Sequence, residues 1–238
     1  MYTTKLLEKK NVAEGTTEFI FAKPEGFAHV AGQTVDLTLI NPKETDAEGN
    51  MRTFSIVASP QENTIAITTR MRDTAFKRTL RDMPIGTEVN VDGPFGSFTL
   101  HENTKRAAVF LSGGIGITPF HSIIKDATEK KLPHKLILFY SNRRPEDTAF
   151  LTELQDLAKQ NPNFTLVATM TDMEKSAQKW EGERGYITVE MLKKYVTDDM
   201  NPIYYLAGPP AMVAAMNKML LESGASRDDI RFEEFAGY

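Results

Sequence analysis

Along the first hundred residues, hydrophobic and polar positions alternate in short runs. Thr17–Ala22 (TEFIFA), Gln33–Ile40 (QTVDLTLI), Thr53–Ala58 (TFSIVA), Thr64–Thr69 (TIAITT) and Glu88–Val91 are rich in β-branched and aromatic residues. Turn-forming pairs separate them, at Pro24–Gly26, Asn41–Pro42, Ser59–Pro60, Pro84–Gly86 and Gly93–Pro94. Short strands at this spacing predict an antiparallel barrel or sandwich. One helix, over about Ala75 to Arg81, is expected to interrupt them.

After His101 the period changes. Ala107–Leu111 (AAVFL) is a continuous apolar run, as a strand buried on both faces requires. A helix is expected from Pro119, because Phe120, Ile123, Ile124 and Ala127 share one face at i, i+3, i+4 and i+7. Lys135–Tyr140, Phe164–Thr169, Ile203–Ala207 and Arg231–Phe235 read as further strands. Three helices fall between them: one burying Leu151, Leu154 and Leu157, one near Thr188–Val196, and one over Pro209–Ser223 stopped by Gly224. The alternation predicts a five-stranded parallel sheet with right-handed crossovers. The chain thus reads as two domains, 1–102 and 103–238, with a ligand cleft expected between them.

Composition narrows the chemistry. The 238 residues are 41% hydrophobic and 25% charged with a net charge of −4, which excludes disorder and argues against a general nucleic-acid binder. No apolar run reaches the length of a membrane span. Met1–Lys10 lacks an apolar signal core, so a cytoplasmic location is expected. Cysteine is absent, so these residues hold no disulfide, thiolate zinc site or iron–sulfur cluster. The four histidines, His29, His101, His121 and His134, show no paired metal-ligand spacing. Each is expected at the surface, and no metal is expected.

Four motifs carry candidate chemistry. Leu111-Ser-Gly-Gly-Ile-Gly-Ile-Thr-Pro119 joins a buried strand to a helix. Its glycines let backbone N–H groups approach an anion at a helix N-terminus. It is neither the G-x-G-x-x-G fingerprint nor a P-loop. Arg52-Thr-Phe-Ser55 places Arg52 and Phe54 on one strand face, a guanidinium suited to phosphate beside a ring suited to a planar heterocycle. Gly93-Pro-Phe-Gly-Ser-Phe98 closes the β region. Ala207-Gly-Pro-Pro210 is a second glycine turn at the carboxyl end of a central strand, where open α/β sheets bind ligands.

In this order and spacing, the four motifs resemble the ferredoxin–NADP reductase superfamily, nearest to the flavin/nicotinamide modules of dioxygenase reductases. The resemblance covers nearly the whole chain. It implies a flavin-binding β-barrel followed by a nicotinamide-nucleotide-binding α/β domain. It also implies hydride transfer from NAD(P)H to FAD, with FMN the alternative, and electrons passing to a separate carrier (ferredoxin, flavodoxin or haem protein) or a small acceptor. On it, Arg52 would hold the flavin diphosphate, Phe54, standing where the family usually has Tyr, would pack on the ring, and Thr53 would be a further cofactor-binding residue. Ser55 would approach flavin N5. The stretch Thr69, Arg70 and Met71 would meet the isoalloxazine edge. Backbone N–H groups near Phe76 and Lys77 would bind phosphate, although Thr74 and Lys77 replace the usual Gly and Ser. Gly113, Gly114, Thr118, Gly208, Pro209 and Met212 would line the nicotinamide and pyrophosphate path, and Ser141 and Arg143 would contact the nucleotide. Asp172 stands where NADP users often carry Arg, so the resemblance implies NADH before NADPH. A C-terminal aromatic, Phe235 or Tyr238, would cover the flavin, and Glu234 or Glu233 would assist proton movement.

The alternative reading from another class is a flavin-binding electron-transfer subunit or sensor without independent turnover. A serine hydrolase is disfavoured, because no Gly-x-Ser-x-Gly elbow occurs.

Overall fold

The computed structural model describes residues 1–235. Its first sheet holds β1 (Tyr2–Ala13), β2 (Thr16–Ala22), β3 (Thr34–Leu39), β4 (Met51–Ser55), β5 (Thr64–Arg70) and β6 (Glu88–Phe95). The order is β4-β3-β6-β1-β2-β5, with every neighbouring pair antiparallel. Just past β4, Ile56 N–H donates to Gln33 O (2.9 Å) and Val57 N–H donates to Ala66 O (2.8 Å). The Val57 bond joins the two end strands and closes the sheet into a barrel, which removes its edges. Helix α1 (Ala75–Asp82) lies between β5 and β6, and Phe76 and Leu80 anchor it in the core.

The expected strands all form, with ends shifted by at most four residues. The sequence reading lacked β1. Its inward positions are few and partly polar (Thr4 and Leu6 are buried), and lysines crowd its outer face.

The second sheet is parallel throughout. It holds β7 (Ala108–Gly113), β8 (Leu136–Asn142), β9 (Phe164–Met170), β10 (Glu183–Arg184), β11 (Ile203–Gly208) and β12 (Ile230–Glu234), in the order β10-β9-β8-β7-β11-β12. The strand beyond the expected five is β10, two residues long and too short to leave a pattern. Helices α2 (Ile117–Glu129), α3 (Leu151–Gln160), α4 (Val189–Tyr195) and α5 (Pro210–Glu222) form the crossovers. From β7 the chain builds outward first through β8 and β9, then on the other side through β11 and β12. The order therefore reverses at β7, and a crevice opens at the carboxyl ends of β7 and β11.

Every residue of β7 is buried, as the apolar run predicts. Val109 and Leu111 pack in the cluster with Met191 of α4 and Val213 of α5, whereas Ala108 and Phe110 join the core shared with the barrel. Phe98, from the segment leaving the barrel, sits 5.6 Å from the rings of both Phe120 and Tyr205. Phe110 lies 4.8 Å from Phe120 and 5.3 Å from Tyr205. One aromatic cluster thus runs from barrel to parallel sheet. This burial, with about 1.5–3 kcal/mol for each large apolar side chain, fixes how the two halves meet.

The histidines are not at the surface. His29, His101, His121 and His134 are all buried. Each bonds a main-chain carbonyl: His29 Nε2 with Ala58 O (3.2 Å), His101 Nε2 with Arg106 O (3.1 Å), His121 Nδ1 with Val57 O (3.1 Å) and His134 Nε2 with His101 O (2.8 Å). These carbonyls lie outside the sheet ladders, where the two halves join, and a buried carbonyl needs a donor. Burial lowers the pKa of His29 and of His101. Among the described residues no cluster of His, Asp or Glu is arranged to hold a metal, and no helix is long and apolar enough to cross a membrane.

Candidate functional site

The glycine turn begins where β7 ends. A single 3-10 turn over Gly114–Gly116 leads into α2, which starts at Ile117, two residues before the expected Pro119. Pro119 therefore sits inside the first turn, where it forfeits no helical hydrogen bond. The three glycines are required for different reasons. Gly114 has φ +55°, a left-handed conformation, and a β-carbon on it would lie 3.0 Å from Arg70 Nη2. A β-carbon on Gly116 would lie 2.2 Å from Ala207 O, so this glycine lets the start of α2 press against β11. A β-carbon on Gly113 would lie 2.1 Å from Met212 Sδ. Thr118 is buried and donates to Ile115 O (3.1 Å), which ties its hydroxyl to the turn.

Above this turn lies a cleft of about 780 Å³. Arg70 and Arg72 enter from the barrel side. Gly113, Gly114, Ser141, Arg143, Pro209 and Met212 line it from the carboxyl ends of the parallel strands, and Phe235 closes one wall. Gly208 is buried at the end of β11, and its carbonyl accepts from Phe235 N–H (3.0 Å). Arg143 is exposed at the cleft, whereas Arg144 is held by Asp147 (2.7 Å) and Glu14 (2.9 Å). Asp172 follows Thr171 of the cleft wall without lining the cleft itself: its N–H donates to Arg143 O (2.9 Å) and its carboxylate pairs with Lys175 (2.7 Å). Tyr186 also lines the cleft and is 78% exposed, a large ring left in solvent at the mouth. Tyr186 and Arg72 were not among the sequence candidates. Arg72 carried a signal, since it follows Arg70 by two where β5 ends.

On the barrel, Arg52, Phe54 and Phe76 share one side. The Phe54 and Phe76 rings are 6.0 Å apart, and the Arg52 guanidinium lies 5.1 Å over the Phe76 ring. Thr53 faces the opposite way and bonds Asp36, away from this group. Phe76 itself is buried in the core. Ser55 and Thr68 are both buried, and their hydroxyls have no hydrogen-bond partner among the described residues. Val57, two residues after Ser55, bonds Ala66, two residues before Thr68 (2.8 Å). Buried hydroxyls without partners are costly unless something polar meets them. Thr69 is fully buried, and Met71 N–H is taken by Gly15 O (2.8 Å).

Lys77 is buried at the start of α1. Burial, then the charges of Arg72 and Arg52, pull its pKa down to about 8. Arg72 and Arg52 thus bear on the same spot as Lys77, with Glu48 as the opposing charge. The Lys77 N–H is not open to phosphate, because the N-cap Thr74 hydroxyl accepts it (3.3 Å). Thr at the N-cap supplies from the chain the acceptor that an orphan N–H requires.

On β12 the alternation turns Arg231, Glu233 and Phe235 to one side. Arg231 on that side donates to Thr99 O and Tyr205 Oη. Glu234 points the other way and is exposed, while burial pushes Glu233 up to about 7. Tyr238 lies outside the described residues.

Residues 110–218 match the oxidoreductase NAD-binding domain. The glycine betaine monooxygenase reductase subunit of Chromohalobacter salexigens is 29% identical over 220 residues, 91% of this chain and 59% of that protein. A component of the Na(+)-translocating NADH-quinone reductase of Pseudomonas aeruginosa is 35% identical over 156 residues, 64% of this chain and 38% of that protein. This chain therefore spans less than two thirds of these relatives. Among solved structures, the Neisseria gonorrhoeae ferredoxin NADP+ reductase with bound FAD and NADP superposes with a TM-score of 0.80 at 23% identity, covering 98% of both chains. An Amycolatopsis cytochrome P450 reductase superposes with a TM-score of 0.82 at 23% identity, covering 98% of this chain and 69% of that one. The chain thus has the two-domain ferredoxin–NADP reductase fold, and its residues 110–218 match the oxidoreductase NAD-binding domain.

Proposed function

We propose that this protein is an NAD(P)H-dependent flavoprotein oxidoreductase that uses FAD and hands electrons to a separate carrier protein or a small acceptor. One observation carries the reading. Arg70 of the barrel reaches the Gly114 turn of the parallel sheet, so the two halves build a single cleft at the point where the strand order reverses.

The residues present fit a flavin. The unpartnered Ser55 and Thr68 hydroxyls offer hydrogen bonds to the polar edge of a heterocycle. Arg52, Arg72 and Lys77 supply charge for its diphosphate. When bound, the flavin supplies hydride acceptance and the release of electrons singly or in pairs.

The chain's own part is to bind, orient and exclude water. The N–H groups of the glycine turn at Gly113 and Gly114, leading into α2, hold the dinucleotide pyrophosphate. Arg143 adds charge at the rim, and Tyr186 offers a face for the adenine. Ser55 orients the flavin's reacting edge. Phe235, on the cleft wall, gives way to the nicotinamide ring. Glu233, rather than Glu234, is the carboxyl placed to hold a proton near the site. Asp172 beside Arg143 disfavours a 2′-phosphate, so NADH is the preferred donor.

With no cysteine in these 238 residues, the outgoing electrons need an acceptor the chain does not carry. The relative from C. salexigens is a reductase subunit of a monooxygenase, which supports a protein acceptor. Cytochrome c reduction with and without added carriers tests this. A carrier that accelerates turnover supports the assignment, and a rate unaffected by any carrier contradicts the protein-acceptor part.

A further inference from the structure

The anion cradle on the barrel already holds carboxylates of this chain. The segment between β3 and β4 folds back over the N-terminal end of α1. Asp46 Oδ1 lies 3.1 Å from Arg52 Nη2, and Glu48 Oε2 lies 2.8 Å from the same atom. Asp46 Oδ1 also accepts a hydrogen bond from the N–H of Glu48 (3.1 Å). Glu44 pins the segment from the other side, with Oε2 2.6 Å from Arg78 Nη2. A guanidinium and a backbone N–H meeting one carboxylate form a donor set that a phosphate would also use.

We propose that Asp46, supported by Glu48, is an internal stand-in for the flavin diphosphate, which must displace it from Arg52 to bind. The Glu44–Arg78 pair stays in place and tethers the segment while Asp46 and Glu48 move. Flavin retention is then set by a competition, and Asp46 is its affinity-determining residue.

The inference rests on the flavin reading above, and the experiment separates the two. The full chain is freed of flavin, and FAD affinity is measured from the quenching of flavin fluorescence, with no turnover involved. Asp46→Asn removes the competing charge and lowers the FAD Kd about five- to tenfold, a scale set by charge-assisted hydrogen bonds on a part-exposed pair. Asp46→Ala removes the acceptor too and gives a gain at least as large. Glu48→Gln, on a more exposed side chain, gives a smaller gain. If the parent binds FAD and neither Asp46 variant binds it more tightly, the inference is overturned while the flavin reading stands. If the parent and all variants fail to bind FAD, both fall.

Discussion

Gly113 and Met212 share one volume: a β-carbon at 113 would begin 2.1 Å from the Met212 sulfur. The thioether is the flexible partner, and Met212 lines the cleft. Gly113→Ala therefore leaves the fold nearly as stable and drives Met212 into the nucleotide path. The KM for NADH rises about tenfold or more. By contrast, a β-carbon at Gly116 meets the backbone carbonyl of Ala207 at 2.2 Å, which cannot step aside. Gly116→Ala costs about 3 kcal/mol or more of stability, read as a lower Tm, before any effect on kinetics.

Lys77 gives a pH signature for flavin binding. Its pKa sits at about 8 in the free protein, lowered by burial and by Arg72 and Arg52. Its charge helps hold a diphosphate only while it is protonated, so FAD affinity weakens as pH rises through about 8. Lys77→Met weakens binding at pH 7 and flattens this dependence between pH 7 and pH 9. A Lys77→Met protein with the parent's pH profile would contradict the assignment.

Glu233 gives a signature in stability. Burial raises its folded pKa to about 7 from 4.5, so the folded state retains a proton that the unfolded chain releases. Stability from this group is complete below about pH 4.5 and falls as pH rises from there through 7. Glu233→Gln raises the Tm at pH 8, on the order of 1 kcal/mol after allowance for partial exposure, and leaves it unchanged at pH 4.5. A gain of equal size at both pH values would show that the effect is packing instead.

Tyr186 stands 78% exposed at the cleft mouth. Tyr186→Ala raises the KM for NADH about three- to tenfold and leaves kcat nearly unchanged, because the ring binds ground and transition states alike. FAD affinity does not change. Loss of FAD with this variant would place the ring in the wrong subsite.

The parallel half was the most legible part in the sequence. Its strands are buried on both faces, so AAVFL and KLILFY announce themselves without tertiary information. The site was legible where the backbone carries it, as in the glycine turn after β7. It was less so where partners come from distant elements. Nothing local marks His121 as buried, since its carbonyl partner, Val57, lies 64 residues away. Nothing marks Asp46 as the partner of Arg52, and Tyr186 is a lone ring in a loop. Thr74 stood out only as a departure from the usual Gly, not as an N-cap. Its consequence, the capture of the Lys77 N–H, depends on where α1 begins. β10 was too short to read at all.

The most direct test is the visible spectrum of the purified chain, taken anaerobically before and after NADH and then NADPH. The account predicts a flavin spectrum, or one regained on adding FAD, that bleaches rapidly with NADH and more slowly with NADPH. A chain that stays colourless after incubation with FAD or FMN, or a bound flavin that neither nicotinamide bleaches, would contradict it.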